Sequence, residues 1–347
     1  MSYKQMTGNI ISATKVEPSG PFQGSAASGV WNLQDQYDYR RGGNWPETGN
    51  ALSRGLFMGG QTGSDRIDTI QSVNLSSDGN AVDFGDLSKG EGALLGAALG
   101  NFIRGVHAGG FPSTTNVIEF VNFATTGDGT DFGDLSAANF GLTACSNGTR
   151  GLFAGGKAPS NPTDVINYIT IANTGNTTDF GNLTAAAYYA GALASPTRGV
   201  FAGGQNNSNA YINIMDYVTI ANTGNTTDFG DLSATRAQVE GCASATRGLF
   251  MGGLAANSTK LNIIEYITIG STGNTTDFGD LTVAKNFSAA CSSATIGLSA
   301  GGLISGGQTN SIDKVTIAST GNGSDFGDLV GGNNSLAGCS NSHGGIA

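Results

Sequence analysis

The chain has 347 residues, among them 56 glycines and 17 phenylalanines, with 38% hydrophobic residues: enough apolar bulk for a packed core, and no three-residue glycine period of the collagen kind. Twenty-six acidic residues against 16 basic ones give a formal charge of -10, which disfavours a nucleic-acid backbone as partner. Two histidines and four cysteines leave few strong metal ligands, and no stretch reaches the roughly 20 apolar residues of a membrane-spanning helix.

Residues 1–50 stand apart from the rest. Their start, MSYKQMTGNIISATKVEPSG, lacks the apolar segment of a signal peptide. The stretch GVWNLQDQYDYRRGGNWPETG concentrates Trp31, Tyr37, Tyr39 and Trp45, the kind of aromatic density that buries well at an interface. It is expected to be a partner-docking segment, with packing against the remainder of the chain as the alternative.

From residue 51 onward the sequence repeats. An Asp-Phe-Gly motif recurs at Asp83, Asp131, Asp179, Asp228, Asp277 and Asp325, at intervals of 48, 48, 49, 49 and 48 residues. A second marker, Arg-Gly-hydrophobic-x-x-Gly-Gly, begins at Arg54, Arg104, Arg150, Arg198 and Arg247, with Ile296 in the sixth copy. Alternation in segments such as IEYITI fits half-buried strands, and TGNT with GD supplies turns. In the fifth copy this predicts strands near 239–244, 248–252, 263–269 and 276–281. Four short strands per unit of nearly 50 residues, with a double glycine after the second, predict a propeller blade.

Counting innermost strands fixes the number of blades. Candidates lie near 94–98, 140–145, 189–193, 239–243, 288–291 and 335–339. The last has no strands after it, whereas Gly55–Gly60 opens a set without a predecessor. The C-terminal strand is therefore expected to complete the N-terminal blade, closing an all-β, six-bladed propeller over residues 51–347 and hiding two free edges.

Repeated residues are read first as structure. Cys145, Cys242, Cys291 and Cys339 each follow their Asp-Phe-Gly aspartate by 14 residues, where other copies carry Leu193 and Ala97, so packing is expected and disulfides are not. The sixfold recurrence of Asp-Phe-Gly argues against a kinase motif; aspartate is expected to accept local hydrogen bonds, phenylalanine to pack between blades and glycine to turn the chain. Calcium at the GNTTDFGD oxygens is a weaker alternative. The arginines are expected to bond carbonyls of adjacent blades and local aspartates, with polyanion binding as the alternative. His107, standing where other copies have phenylalanine, is expected to be an inward, satisfied histidine, and His343 has no visible catalytic partner.

Copy-to-copy variation concentrates after the double glycines. Loops bearing Gln61, Lys157, Gln205, Asn206, Tyr211 and Asn257 are expected to project from one face and serve as recognition surface, their amides and the tyrosine suiting a glycan or a protein.

The double glycines at Gly59/Gly60, Gly109/Gly110, Gly155/Gly156, Gly203/Gly204, Gly252/Gly253 and Gly301/Gly302, ahead of strand segments with the Glu/Asn/Asp-Tyr/Phe pattern, make the repeat resemble a kelch-like β-propeller. Phenylalanine in TDFGDL stands where that family commonly has tryptophan. The aromatic segment together with the repeated YITIANTGNTTDFGDL also looks like structural or tail-fibre-associated proteins of marine and cyanobacterial phages. That resemblance implies a non-enzymatic virion protein present in multiple copies. It would be a tail or capsid appendage, bound to neighbouring virion proteins through residues 1–50, supporting host attachment through a surface glycan or protein, and needing no cofactor. A glycan-binding propeller outside a virion and, more remotely, a kelch-type oxidase or lyase are the alternatives.

Overall fold

The computed structural model describes residues 53–88, 94–112, 114–158 and 160–346. They form six four-stranded antiparallel sheets. Each innermost strand packs against the next, and the last against the first, so the sheets close into a ring. The protein is a six-bladed β-propeller.

Blade 1 combines the two ends of the described chain: Ala337–Ser340 is its innermost strand, followed outward by Arg54–Met58, Thr69–Asn74 and Val82–Asp86. The closing pairs are Gly55↔Ser340, Leu56↔Cys339, Phe57↔Gly338 and Met58↔Ala337. Blades 2 to 6 start at the innermost strands Ala97–Gly100, Thr143–Ser146, Gly191–Ala194, Glu240–Ala243 and Ala289–Ser292. In blade 5 the remaining strands are Arg247–Met251, Leu261–Thr268 and Thr276–Lys285, matching the sequence expectation except that the last two run longer.

The closure reproduces an ordinary hairpin without a covalent link. In blade 3 the turn is held by Asn147, whose side-chain oxygen accepts from the Arg150 amide at 2.8 Å while its own amide donates to the Arg150 carbonyl at 3.0 Å. In blade 1, Asn341 makes the same two bonds with Arg54, at 2.8 and 3.2 Å. Innermost and second strands thus meet in one geometry in both blades, and the inner edge of Arg54–Met58 is paired.

Blades interlock through a knob and a hole. The third side chain of each innermost strand, Leu99, Cys145, Leu193, Cys242, Cys291 or Cys339, points at the glycine of the next blade's Arg-Gly pair. A methyl group added at Gly55, Gly199 or Gly297 would lie 2.6, 2.9 and 2.7 Å from the sulfurs of Cys291, Cys145 and Cys242. The four thiols are free and buried, and burial pushes Cys145 and Cys339 up to about 12, so they behave as small apolar side chains. The register differs from sequence counting in one place. Leu99, not Ala97, is the counterpart of the cysteines, because the connector into blade 2 is two residues longer than the others.

The Asp-Phe-Gly motif is a second seam. Its phenylalanine is buried in every copy. The phenylalanine carbonyl accepts from a turn glycine of the next blade at all six junctions, from Phe84 to Gly127 at 2.8 Å through to Phe326 and Gly79 at 2.9 Å. Two residues on, the amide of Asp86, Asp134, Asn182, Asp231, Asp280 or Asp328 donates to the side-chain oxygen of the turn's Asn or Asp, at 3.0–3.1 Å. The oxygens weighed above as calcium ligands include these, and they serve backbone amides across the seam. A methyl on Gly230, where φ is +141, would sit 2.5 Å from the Gly273 carbonyl oxygen.

Candidate functional site

Functional residues are most easily found here by subtraction, once the repeated polar groups have been assigned to the seams. Arg104, Arg150 and Arg247 each reach across to two carbonyl oxygens of the next blade, Arg150 to Ile220 at 2.8 Å and Ala221 at 3.1 Å. Arg54 and Arg198 bond one such carbonyl each, Phe123 and Ile269. Each guanidinium also lies over an aromatic ring, that of Arg150 being 4.4 Å from the Tyr168 centroid. Carbonyls and rings, rather than aspartates, hold the arginines in place. In blade 6 Ile296 stands in place of the arginine and Lys314 in place of the third-strand aromatic; Lys314 pairs with Asp78 of blade 1 at 2.5 Å, restoring a link at that junction. Replacing Arg150 with methionine is expected to cost about 1–2 kcal/mol, from two lost bonds and the ring contact, read as a lower urea midpoint with unchanged slope.

A third recurrent position is the buried polar residue of the third strand. Glu119 accepts from Ser88, Asp216 from Thr184, Glu265 from Ser233, Asp313 from Thr282 and Gln71 from Val330, each donor belonging to the preceding blade. Two of these acids also meet buried cations: Arg236–Glu265 at 2.5 Å and Lys285–Asp313 at 3.1 Å. These acids therefore have structural work in every blade where they occur.

Strand polarity then defines two faces. One carries the hairpin turns at Asn101, Asn147 and Asn341, together with Ser53. There Gly344–Ile346, buried, folds over the end of the axial channel. His343 sits beneath it, its Nε2 donating to the Gly100 carbonyl at 2.9 Å and its Nδ1 accepting from the Gly345 amide at 3.1 Å. Burial lowers its pKa, consistent with a neutral ring in a packing role. His107 is fully buried in the second strand of blade 2.

The other face carries the double glycines and the connectors into the innermost strands, and all six expected recognition residues lie on it. Gln61, Lys157 and Gln205 are tied to the connectors by backbone bonds to Asn334, Phe140 and Tyr188 at 2.9, 2.8 and 2.8 Å. The Lys157 ammonium stands over the Tyr188 ring at 5.3 Å. Asn206 and Asn257 use their side-chain oxygens to brace their own loops, accepting from Ser208 and Thr259 at 2.9 and 3.1 Å. Tyr211 is half-buried and bridges Gln205. Trp31, Tyr37, Tyr39 and Trp45 lie outside the described residues.

Sequence reading missed the centre of this face. Just before each innermost strand one residue takes a left-handed backbone: Leu95, Gly141, Tyr189, Gln238, Phe287 and Ser335, with φ between +54 and +63. They surround the mouth of the channel and, with the strands below, line a cavity of about 130 Å³ bounded by all six blades. Tyr189 and Phe287 meet edge to face at 5.4 Å, and Tyr188 lies 4.6 Å from Tyr189. Burial pushes the Tyr189 phenol up to about 12, so at neutral pH it is a hydrogen-bond donor. The signal in the sequence was that this position varies more than its neighbours, but Leu95, Gly141, Tyr189 and Ser335 fell at the start of expected strands and Gln238 and Phe287 just before them.

In the wall of the cavity stands Glu240. One oxygen accepts from Ser299 Oγ, and desolvation pushes its pKa up to about 7 despite nearby Lys285. A carboxyl held above its unfolded value contributes stability that is complete below about pH 4.5 and lost as pH rises through about 7. Glu240→Gln is therefore expected to be more stable relative to wild type at pH 8 than at pH 5, measured by urea unfolding at both. Comparison with known proteins returns no relative: no protein-family model matches the sequence, and no curated protein does. Among the described residues no helix is long and apolar enough to cross a membrane, and no cluster of three His, Cys, Asp or Glu side chains could hold a metal ion.

Proposed function

We propose that the chain is a non-enzymatic recognition and structural component of a phage virion, a tail or capsid appendage whose propeller presents the loop-bearing face to a host-surface glycan or protein. One observation carries this reading: the repeated polar motifs are engaged in seams between blades, while the side chains that differ from copy to copy gather on the face opposite Ser53. The double glycines support a kelch-like relation, and the aromatic segment with the repeated YITIANTGNTTDFGDL supports the phage assignment.

The test has two arms. The chain is sought by mass spectrometry in purified particles, and the purified full-length chain is added to host cells as a competitor of particle adsorption. Presence in particles with reduced adsorption is the expected outcome. Absence from particles, or catalytic turnover by metal-supplemented protein, overturns the assignment. A glycan-binding propeller outside a virion shares the same face and is separated by the first arm alone.

A further inference from the structure

We infer that the channel mouth on the loop-bearing face is a binding site for one neutral pyranose ring, the terminal sugar of a glycan. The inference deepens the proposed function and rests on its identification of the recognition face.

The argument begins with what the fold does not need. A left-handed backbone at the entrance to each innermost strand is a structural demand, since it recurs six times. Among the six, Gly141 alone is the residue that this conformation favours. Leucine, tyrosine, glutamine, phenylalanine and serine at the same place each cost on the order of 1 kcal/mol. Glycine in every copy would satisfy the ring. The retention of two large aromatic rings at strained positions around a solvent-facing opening therefore points to a use of the rings themselves.

Sixfold regularity also breaks at one seam. The left-handed residues are linked around the axis by amide-to-carbonyl bonds: Leu95 to Ser335, Gly141 to Leu95, Tyr189 to Gly141, Gln238 to Tyr189 and Ser335 to Phe287, at 2.7–3.0 Å. The link from Phe287 to Gln238 is not made. At this seam, between blades 5 and 6, Glu240 Oε2 and Ser288 Oγ face each other and have no other partner, and Asn286 Oδ1 lacks a formed hydrogen bond. A carboxyl and a hydroxyl in the wall of the cavity, with no partner but each other, keep lone pairs free to accept from the hydroxyls of an occupant.

Size and charge define that occupant. A cavity of about 130 Å³ is near the roughly 150 Å³ that takes a benzene-sized ring, and well below the roughly 300–1,000 Å³ of larger ligand sites. It therefore admits a single six-membered ring. Two aromatic faces suit the C–H face of a sugar, and the carboxyl, hydroxyl and amide groups suit its hydroxyls. The Glu240 carboxyl and the overall charge of -10 disfavour an anionic sugar.

The full-length chain is titrated by calorimetry and NMR with a panel of neutral methyl pyranosides and one uronic acid. At least one neutral pyranoside is expected to bind at about millimolar affinity, and the uronic acid more weakly. Tyr189→Gly and Phe287→Gly are each expected to weaken binding at least about tenfold while the melting temperature holds or rises, because glycine relieves the left-handed strain. Glu240→Gln, close to isosteric, is expected to weaken it also and keeps the test readable should a glycine variant fold poorly. No binding by any pyranoside, equal binding of the uronic acid, or affinity unchanged in all three variants overturns the inference. Competition for adsorption with no pyranoside binding rejects this site and leaves the proposed function standing. Pyranoside binding without competition does the reverse.

Discussion

A chain ending at Asn334 is expected to lose cooperative folding. It lacks the innermost strand Ala337–Ser340, the four closing pairs with Gly55–Met58 and the Cys339 knob against Gly105. It exposes Leu56 and Met58, both almost fully buried in the intact ring, and leaves the edge of Arg54–Met58 unpaired. These losses are large against the about 5–15 kcal/mol of net stability of an ordinary domain. Reconnection is expected to restore it. The hydroxyls of Ser53 and Ser342 are 2.5 Å apart, so a permuted chain that starts at Ser335, joins Ser342 to Ser53 and ends at Asn334 would replace the non-covalent turn at Asn341 with a covalent one. Circular dichroism and urea titration should show a β-sheet signal and a single transition for the permuted chain, and neither for the truncated one. A permuted chain that fails to fold, or a truncated chain that unfolds like wild type, would show that closure does not hold the ring together.

Gly230→Ala is expected to cost about 3 kcal/mol or more, whereas Gly270→Ala changes stability by about 0.5 kcal/mol or less. Gly230 belongs to the outermost strand of blade 4 and Gly270 to a turn of blade 5, and the substitutions are chemically identical. Gly230, at φ +141, lies against the backbone of the next blade: the nearest atoms to an added methyl are the Gly273 carbonyl oxygen and carbon at 2.5 and 2.6 Å and the Asn274 nitrogen at 3.0 Å. None of these is the end of a flexible side chain, so relief requires the seam to part, and with it the bond from Gly273 to Phe229 at 2.7 Å. Gly270 has nothing within 4 Å, and other copies carry Ala172 and Ala221 in its place. Equal urea midpoints for the two variants would refute the assignment of Asp-Phe-Gly to the seam.

Much of this architecture was legible before any coordinates. The interval between aspartates, the double glycines and the unmatched strands at the two ends gave six blades and their closure, because a repeat states its structural demands once per copy. Phe84 and its five counterparts were recognisable as packing residues for the same reason. Ala97 was misplaced because counting from the preceding motif ignores a longer connector, and only strand pairing identifies Leu99 as the knob. The arginines were read as partners of carbonyls and aspartates together; the structure shows carbonyls and rings.

The local pattern of the sequence, then, determined the strands, the turns and the number of sheets, since these follow from hydrophobic alternation and backbone preferences within some fifty residues. Tertiary structure alone decided which side chains converge. Tyr189 and Phe287 belong to repeats two apart, and Glu240 and Ser288 meet across a junction; no spacing rule links them. They come together because six right-handedly twisted sheets close about one axis, bringing distant connectors to a common opening.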